Sequence, residues 1–248
     1  MSERIRRLEE ITLNSSGAQQ QCFYDGWVLR FSPGSEVKRA NSVTALYPSL
    51  LELPAKIDYC ERAYAQAGLQ TQFRLNATSL PAQLDQVLGE RGYHKIQPTT
   101  LMHLPLDRHA SRPVAPGFTP RSIDDWITVS TALRGKARET LEARKQRLGS
   151  AAVIWLPATL EIDGRTVSSG IGAREREYFG LFDLFTPEAW RNRGYSTALL
   201  SGLLEAARAS GARYAYLQVD EANTPARRIY ELLGFAPIYS YWYRVKPD

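Results

Sequence analysis

Residues 187–200 read PEAWRNRGYSTALL: Arg191, Asn192, Arg193 and Gly194 lead out of an expected strand into an apolar-striped helix opened by Tyr195, Ser196 and Thr197. A helix start carries free N–H groups and the positive end of the helix dipole, and together these bind phosphate-like anions. Gly194 permits close backbone approach, the two arginines add charge, and Ser196 and Thr197 offer hydroxyl donors. The spacing matches neither the GxxxxGK[ST] of a nucleotide P-loop nor the GxGxxG of a dinucleotide fold. Taken alone, the same residues also describe a plain capped helix start.

A second segment lies at 223–235, NTPARRIYELLGF. Asn223 suits a helix N-cap, and Ala226 and Tyr230 fall four apart on one helix face. In isolation Tyr230 reads first as a core aromatic. The two segments occur in this order, separated by an expected strand at 215–219.

Together they resemble the GNAT superfamily of acetyl-CoA-dependent N-acyltransferases. The family's loop pattern R/Q-x-x-G-x-G/A is met by Arg191 and Gly194, with Ser196 at the third position, a departure that narrows the loop. The downstream pattern N-x-x-A-x-x-x-Y-x-x-x-G-F is matched without a gap by Asn223, Ala226, Tyr230, Gly234 and Phe235. The resemblance is specific over 117–248 and diffuse before it. The segments at 180–186, 26–30 and 39–43 look like a branch in which a degenerate GNAT-like half precedes the working one. The implied fold class is α/β with a mixed sheet, the acyl-CoA N-acyltransferase fold, as two GNAT-like halves over 1–112 and 113–248.

The resemblance implies transfer of an acetyl group from acetyl-CoA to a primary amine of a small metabolite, by direct attack in a ternary complex and without a metal. The pantetheine arm is then expected along Leu184, Phe185 and Thr186, with a main-chain N–H near Leu184 facing the thioester carbonyl. The pyrophosphate is expected on the amides of Asn192, Arg193, Gly194, Tyr195, Ser196 and Thr197, with Arg191 and Arg193 supplying charge. Asn223 and Tyr230 complete the cofactor side, and Tyr230 occupies the position of the acid that protonates the departing thiolate. Asp183 is the first choice of general base, with Asp220 and Glu221 as alternatives; an exposed carboxylate without a role fits each as well. In a regular strand Asp183 points away from Leu184, and a bulge would change that. Two other readings stay open: an acyl-CoA sensor without turnover, and a protein N-terminal acetyltransferase.

An internal repeat supports the tandem arrangement. A helix ends at Gly68, a strand and a helix follow, then Arg91-Gly92-Tyr93; a second helix ends at Gly211, followed by a strand, a helix and Leu233-Gly234-Phe235. The glycine spacings are 24 and 23. Before its first helix the first copy has Leu51-Glu52-Leu53-Pro54, without glycine or base, and Leu88 stands where the second copy has Tyr230. Anion-binding chemistry therefore belongs to the second copy. The proline-punctuated stretch around Pro105, Pro113 and Pro116 marks the boundary.

The rest of the sequence sets limits. Of 248 residues, 44% are apolar and 23% charged, ample for a core, and 31 basic against 26 acidic residues leave +5. That excess suits an anionic ligand and is spread too evenly for a nucleic-acid partner. Cys22 and Cys60 exclude a disulfide framework, and His94, His103 and His109 lack metal-ligand spacing. With no leader-like start and no long apolar run, a soluble cytoplasmic protein is expected; monomer and homodimer are both open. Hairpins are expected at Asp25-Gly26 and Asp163-Gly164, a short helix at 4–10 and one helix over 124–148. The segment 134–147, with six bases and two acids, is expected as a solvated helix face, and Phe182 and Trp190 as ordinary packing.

Overall fold

The computed structural model describes residues 2–108, 110–135 and 139–247. Helix α1 (Ser2–Ser16) is longer than expected, because Leu8, Ile11 and Leu13 extend its buried stripe beyond residue 10. Asp25 and Gly26 both take positive φ, 43° and 82°, as a two-residue hairpin requires, and join β1 (Gln20–Tyr24) to β2 (Trp27–Phe31). After β3 (Val43–Ala45), helix α2 (Leu53–Gln66) opens on a proline and stops ahead of Gly68. Strand β4 (Gln72–Asn76), helix α3 (Leu84–Glu90) and strand β5 (His94–Pro105) complete the first copy of the repeat.

The second stretch begins with β6 (Phe118–Pro120) and α4 (Ile123–Arg134), whose N-cap Ser122 accepts from the Asp125 amide. The single helix expected over 124–148 is in fact two. Gly135 turns left-handed and ends α4, and Thr140 caps a new helix, α5 (Leu141–Gly149), by accepting from the Ala143 amide. Residues 136–138 of that expected helix lie outside the described residues. The hairpin β7 (Ile154–Ile162) and β8 (Arg165–Glu175) forms at Asp163-Gly164 as expected. Then come β9 (Tyr178–Phe185), α6 (Tyr195–Ala209), β10 (Tyr214–Asp220), α7 (Thr224–Leu232) and β11 (Ala236–Val245).

The strands form one mixed sheet in the order β1-β2-β3-β4-β11-β5-β10-β9-β8-β7-β6. Strand β4 runs parallel to β3, and β10 parallel to β9; the other pairs are antiparallel. The two copies of the repeat interleave at the centre. The last strand of the second copy, β11, lies on β4, and the last strand of the first, β5, lies on β10. The two exchanged strands also pair with each other.

Side chains alternate across this sheet. On β10, Ala215, Leu217 and Val219 pack under Leu199, Leu200, Leu203 and Leu204 of α6, while Tyr216 joins Leu8 and Ile11 of α1. The other core joins Ile57, Cys60 and Tyr64 of α2 to Trp27, Leu29, Phe73 and Leu75. Helix α1 ties the exchange together. The Glu9 carboxylate, 1% exposed, accepts from Arg74 on β4 and from the Tyr239 hydroxyl on β11. The Arg74 guanidinium also lies over the Tyr241 ring, 3.8 Å from its centroid.

Removing one partner of a buried pair strands the other charge. Glu9→Ala is therefore expected to lower the unfolding free energy by about 3–5 kcal/mol in urea titrations. Arg7→Ala, which breaks only part-exposed pairs with Glu10 and Glu175, should cost about 1 kcal/mol or less.

Candidate functional site

The site begins where two parallel strands part. Strands β9 and β10 pair from Tyr178–Tyr214 to Phe179–Ala215, Gly180–Tyr216 and Leu181–Leu217, and the ladder ends there. On its other edge β9 is bulged. Phe182 faces Ile171 and Phe185 faces Ser169, so Asp183 and Leu184 together oppose the single residue Gly170. Asp183 has φ 52°, and a Cβ on Gly170 would stand 2.6 Å from the Leu184 side chain. Any larger residue at Gly170 would force the Leu184 side chain to shift.

The bulge answers the question left by the sequence. It sets Asp183 and Leu184 on the wall of one cavity, in the fork between the strands, together with Leu181, Leu217, Asp220, Asn223 and Tyr230. Four expected site residues thus meet: Asp183, Leu184, Asn223 and Tyr230. Asn223 also caps α7, accepting from the Ala226 amide at 3.3 Å. Tyr230 is half-buried with its ring 6.2 Å from that of Phe235, and burial pushes its phenol up to about 12. It therefore keeps its proton at neutral pH.

The second group is the loop into α6. Asn192 and Gly194 take positive φ, 60° and 77°, and the first helical bond runs from the Ala198 amide to the Gly194 oxygen. The amides of Tyr195, Ser196 and Thr197 precede that bond and have no intrahelical acceptor. Arg191, Asn192 and Arg193 are exposed. Arg191 donates from Nε to the Thr186 oxygen at 3.2 Å, and Arg193 lies over the Trp190 ring at 5.2 Å. Phe185 and Thr186 connect the loop to the fork, and the Thr186 hydroxyl is 2.9 Å from that of Ser168. The loop residues do not line the fork cavity itself.

Asp183 is not a free carboxylate. Arg144 donates to it at 2.9 Å and Arg134 at 3.4 Å, and Arg134 also donates to its main-chain oxygen at 2.9 Å. Desolvation works to raise its pKa, but Arg134, Arg144, Arg147 and Arg39 outweigh it and hold the carboxyl below the ordinary range. Such a group binds a proton weakly. Of the two alternatives, Asp220 lines the fork and accepts from the Ala222 amide at 2.9 Å. Glu221 turns away, accepting from Ser240 at 2.7 Å and Thr100 at 3.2 Å.

The solvated helix face expected over 134–147 forms only in part: Lys145 is exposed, and Lys136 and Arg138 lie outside the described residues. Arg144 and Arg147 are each only 6% exposed and, with Arg134, wall a second cavity beside the fork. The break at Gly135 sets α5 at its own angle, so that Ala143, Arg144, Arg147 and Leu148 form its buried stripe. Phe182, expected as packing, also lines this cavity, as do Ser15, Ser16, Val37 and Arg39 from the N-terminal stretch. Trp190 packs against the α6 core as expected. The sequence held one signal for the second cavity, the alternation of Arg144 and Arg147 with apolar positions at helical spacing. Arg39 opens the 39–43 segment of the resemblance, which assigned it no role.

Other candidates stand apart. His103 is buried beside Tyr214, and burial lowers its pKa to about 4. His94 is exposed and His109 lies outside the described residues. Cys60 is buried and Cys22 exposed, and neither is bonded. Among the described residues no helix is long and apolar enough to cross a membrane.

Comparison with known proteins covers almost the whole chain. Residues 2–244 match the family model described as "Probable histone acetyltransferase Rv0428c C-terminal". The chain is 28% identical over 255 residues to the "uncharacterized N-acetyltransferase YobR" of Bacillus subtilis, covering 98% of each. A GCN5-related N-acetyltransferase from Kribbella flavida superposes with a TM-score of 0.74 at 18% identity, over 100% of this chain and 96% of that one. A tandem GNAT protein from the clavulanic acid biosynthesis pathway superposes with a TM-score of 0.56 at 17% identity, over 84% and 76%.

The clamp on Asp183 makes a pH prediction. Its folded pKa lies below the ordinary 3.8, so its ion pairs stabilise the fold fully above that pH and are lost as pH falls through the folded value. In denaturant titrations wild type should exceed Asp183→Asn in stability at neutral pH. The gap should narrow only below the ordinary carboxylate pKa.

Proposed function

Because the chain belongs to the Rv0428c C-terminal family and is a GNAT-type N-acetyltransferase, we propose that it moves an acetyl group from acetyl-CoA to the primary amine of a small metabolite. Attack is direct, with both substrates bound. The observation that carries this reading is the fork, where a protonated tyrosine and the bulged edge of β9 line one cavity.

The chain's own groups fit acetyl-CoA. Beyond Leu181 the edge of β9 is released from β10, leaving main-chain groups to receive an extended amide-bearing arm as an added strand. The amides of Tyr195, Ser196 and Thr197, with Arg191 and Arg193 nearby, suit a pyrophosphate. Bound there, acetyl-CoA supplies an activated acyl thioester.

In this reading the Leu184 amide donates to the thioester carbonyl oxygen as negative charge gathers on it. Tyr230 gives its proton to sulfur as the carbon–sulfur bond breaks and the carbon–nitrogen bond forms. The amine loses one proton, and Asp220 or water takes it. Asp183 accepts hydrogen bonds from the incoming amine and orients it; its weak proton affinity sets it aside as the general base.

Tyr230→Phe should lower kcat for acetyl transfer by about 100-fold or more, with KM for acetyl-CoA nearly unchanged. The wild-type rate should not fall through loss of this proton between pH 7 and about 10, because the phenol titrates at about 12. An unchanged rate in the variant removes Tyr230 from the chemistry. CoA binding with no turnover across a broad amine panel makes the chain a sensor. Gly194→Val forces a β-branched residue into a left-handed backbone, φ 77°, and should weaken CoA binding by about tenfold in calorimetry.

A further inference from the structure

We infer that the acceptor amine also carries an anionic group, a carboxylate or phosphate, held by Arg39 in the cavity beside the fork; this rests on the acetyl-transfer reading above. The two cavities share Arg39, Arg134, Phe182 and Asp183, so a ligand in the second reaches the fork at Asp183. The walls of the second cavity hold four arginines, Arg39, Arg134, Arg144 and Arg147, against two carboxylates, Glu139 and Asp183.

Both carboxylates are engaged. Arg147 grips Glu139 with two bonds, 3.0 and 2.7 Å, and the Ser35 hydroxyl donates to it at 2.9 Å. Asp183 is held by Arg144 and Arg134. Arg39 differs. It donates to the Gln218 side-chain oxygen and lies 5.4 Å from the Phe182 ring centroid, and among the described residues no carboxylate comes within ion-pair distance of it. Two further buried donors have no hydrogen-bond acceptor among the described residues: Nε of Arg144 on this wall, 3.9 Å from Glu139, and Nε2 of Gln218 on the adjoining fork. The wall thus has a surplus of positive charge and of donors.

A group that only accepts and carries negative charge matches that surplus, and the guanidinium fork matches paired oxygens of a carboxylate or a phosphate. The amine end has its own place at Asp183, the carboxylate common to both cavities. The acceptor is thus a short molecule with an amine at one end and an oxyanion at the other. A lysine-rich peptide meets like charge on the same wall. During transfer the acetyl carbon leaves sulfur and joins nitrogen, one proton leaves nitrogen and one reaches sulfur, and the anionic group is unchanged.

The test uses the full chain at about 0.15 M salt, where exposed charge is screened and a lined cavity is less so. Thiol release is measured with β-alanine against β-alaninamide, phosphoethanolamine against ethanolamine, and with spermidine and a lysine-rich histone-tail peptide. The acidic member of at least one pair should exceed its neutral partner by about tenfold in kcat/KM, and the better pair identifies carboxylate or phosphate. Arg39→Gln should erase that preference through KM while the Kd for CoA stays within about twofold, and Arg39→Lys should restore part of it. Equal use of both members, or preference for spermidine or the histone peptide, overturns the inference. If CoA binds but no amine is acetylated, the acetyl-transfer reading fails. Calorimetry of the same pairs on the CoA-loaded protein then decides the charge inference: tighter binding of an acidic member supports it, and equal or absent binding overturns it.

Discussion

The parting of β9 from β10 beyond Leu181 and Leu217 is the constraint on which the rest of the site depends. Two parallel strands that stay paired leave no room between them. Here β9 is bent by a bulge in which Asp183 and Leu184 face Gly170 alone, and the extra residue turns the strand edge toward the gap. Helix α7 follows β10 and brings Tyr230 to the same opening; α6 follows β9 and presents its free amides at the next turn. The bulge thus sets the β9 edge on the opening that Tyr230 also lines.

The exchange of β5 and β11 makes the N-terminal stretch part of this arrangement. Because β5 lies on β10 and β11 lies on β4, neither copy of the repeat completes its sheet from its own strands. The buried Glu9 carboxylate, held by Arg74 and Tyr239, fixes α1 across that seam. The end of α1 then carries Ser15 and Ser16 to the second cavity, where Arg39 joins them from the loop before β3. The N-terminal stretch thus contributes side chains to a cavity that adjoins the fork.

The electrostatics of the second cavity follow from the break at Gly135. Two helices let α5 turn Arg144 and Arg147 inward, where Asp183 and Glu139 offset their charge in part. The same arginines keep Asp183 ionised and make it a poor proton acceptor. Its place in the sequence suggested a base; in the proposed reading it holds the amine instead.

The sequence by itself determined the parts with local signatures: the loop at Arg191 to Ser196, the Asn223-to-Phe235 segment, both glycine-turned hairpins and, apart from the break at Gly135, the order of elements. Each rests on backbone conformation or helix capping, which a few neighbouring residues decide. It also held the repeat and the loss of the loop from the first copy. Only the tertiary structure decided that Asp183 faces the fork, since a one-residue bulge reverses which face a strand residue occupies. Only it joined Arg39 to Arg134, Arg144 and Arg147, which come from two helices far from it in the chain. Contacts between distant segments depend on strand order, and strand order here depends on an exchange that no local pattern encodes.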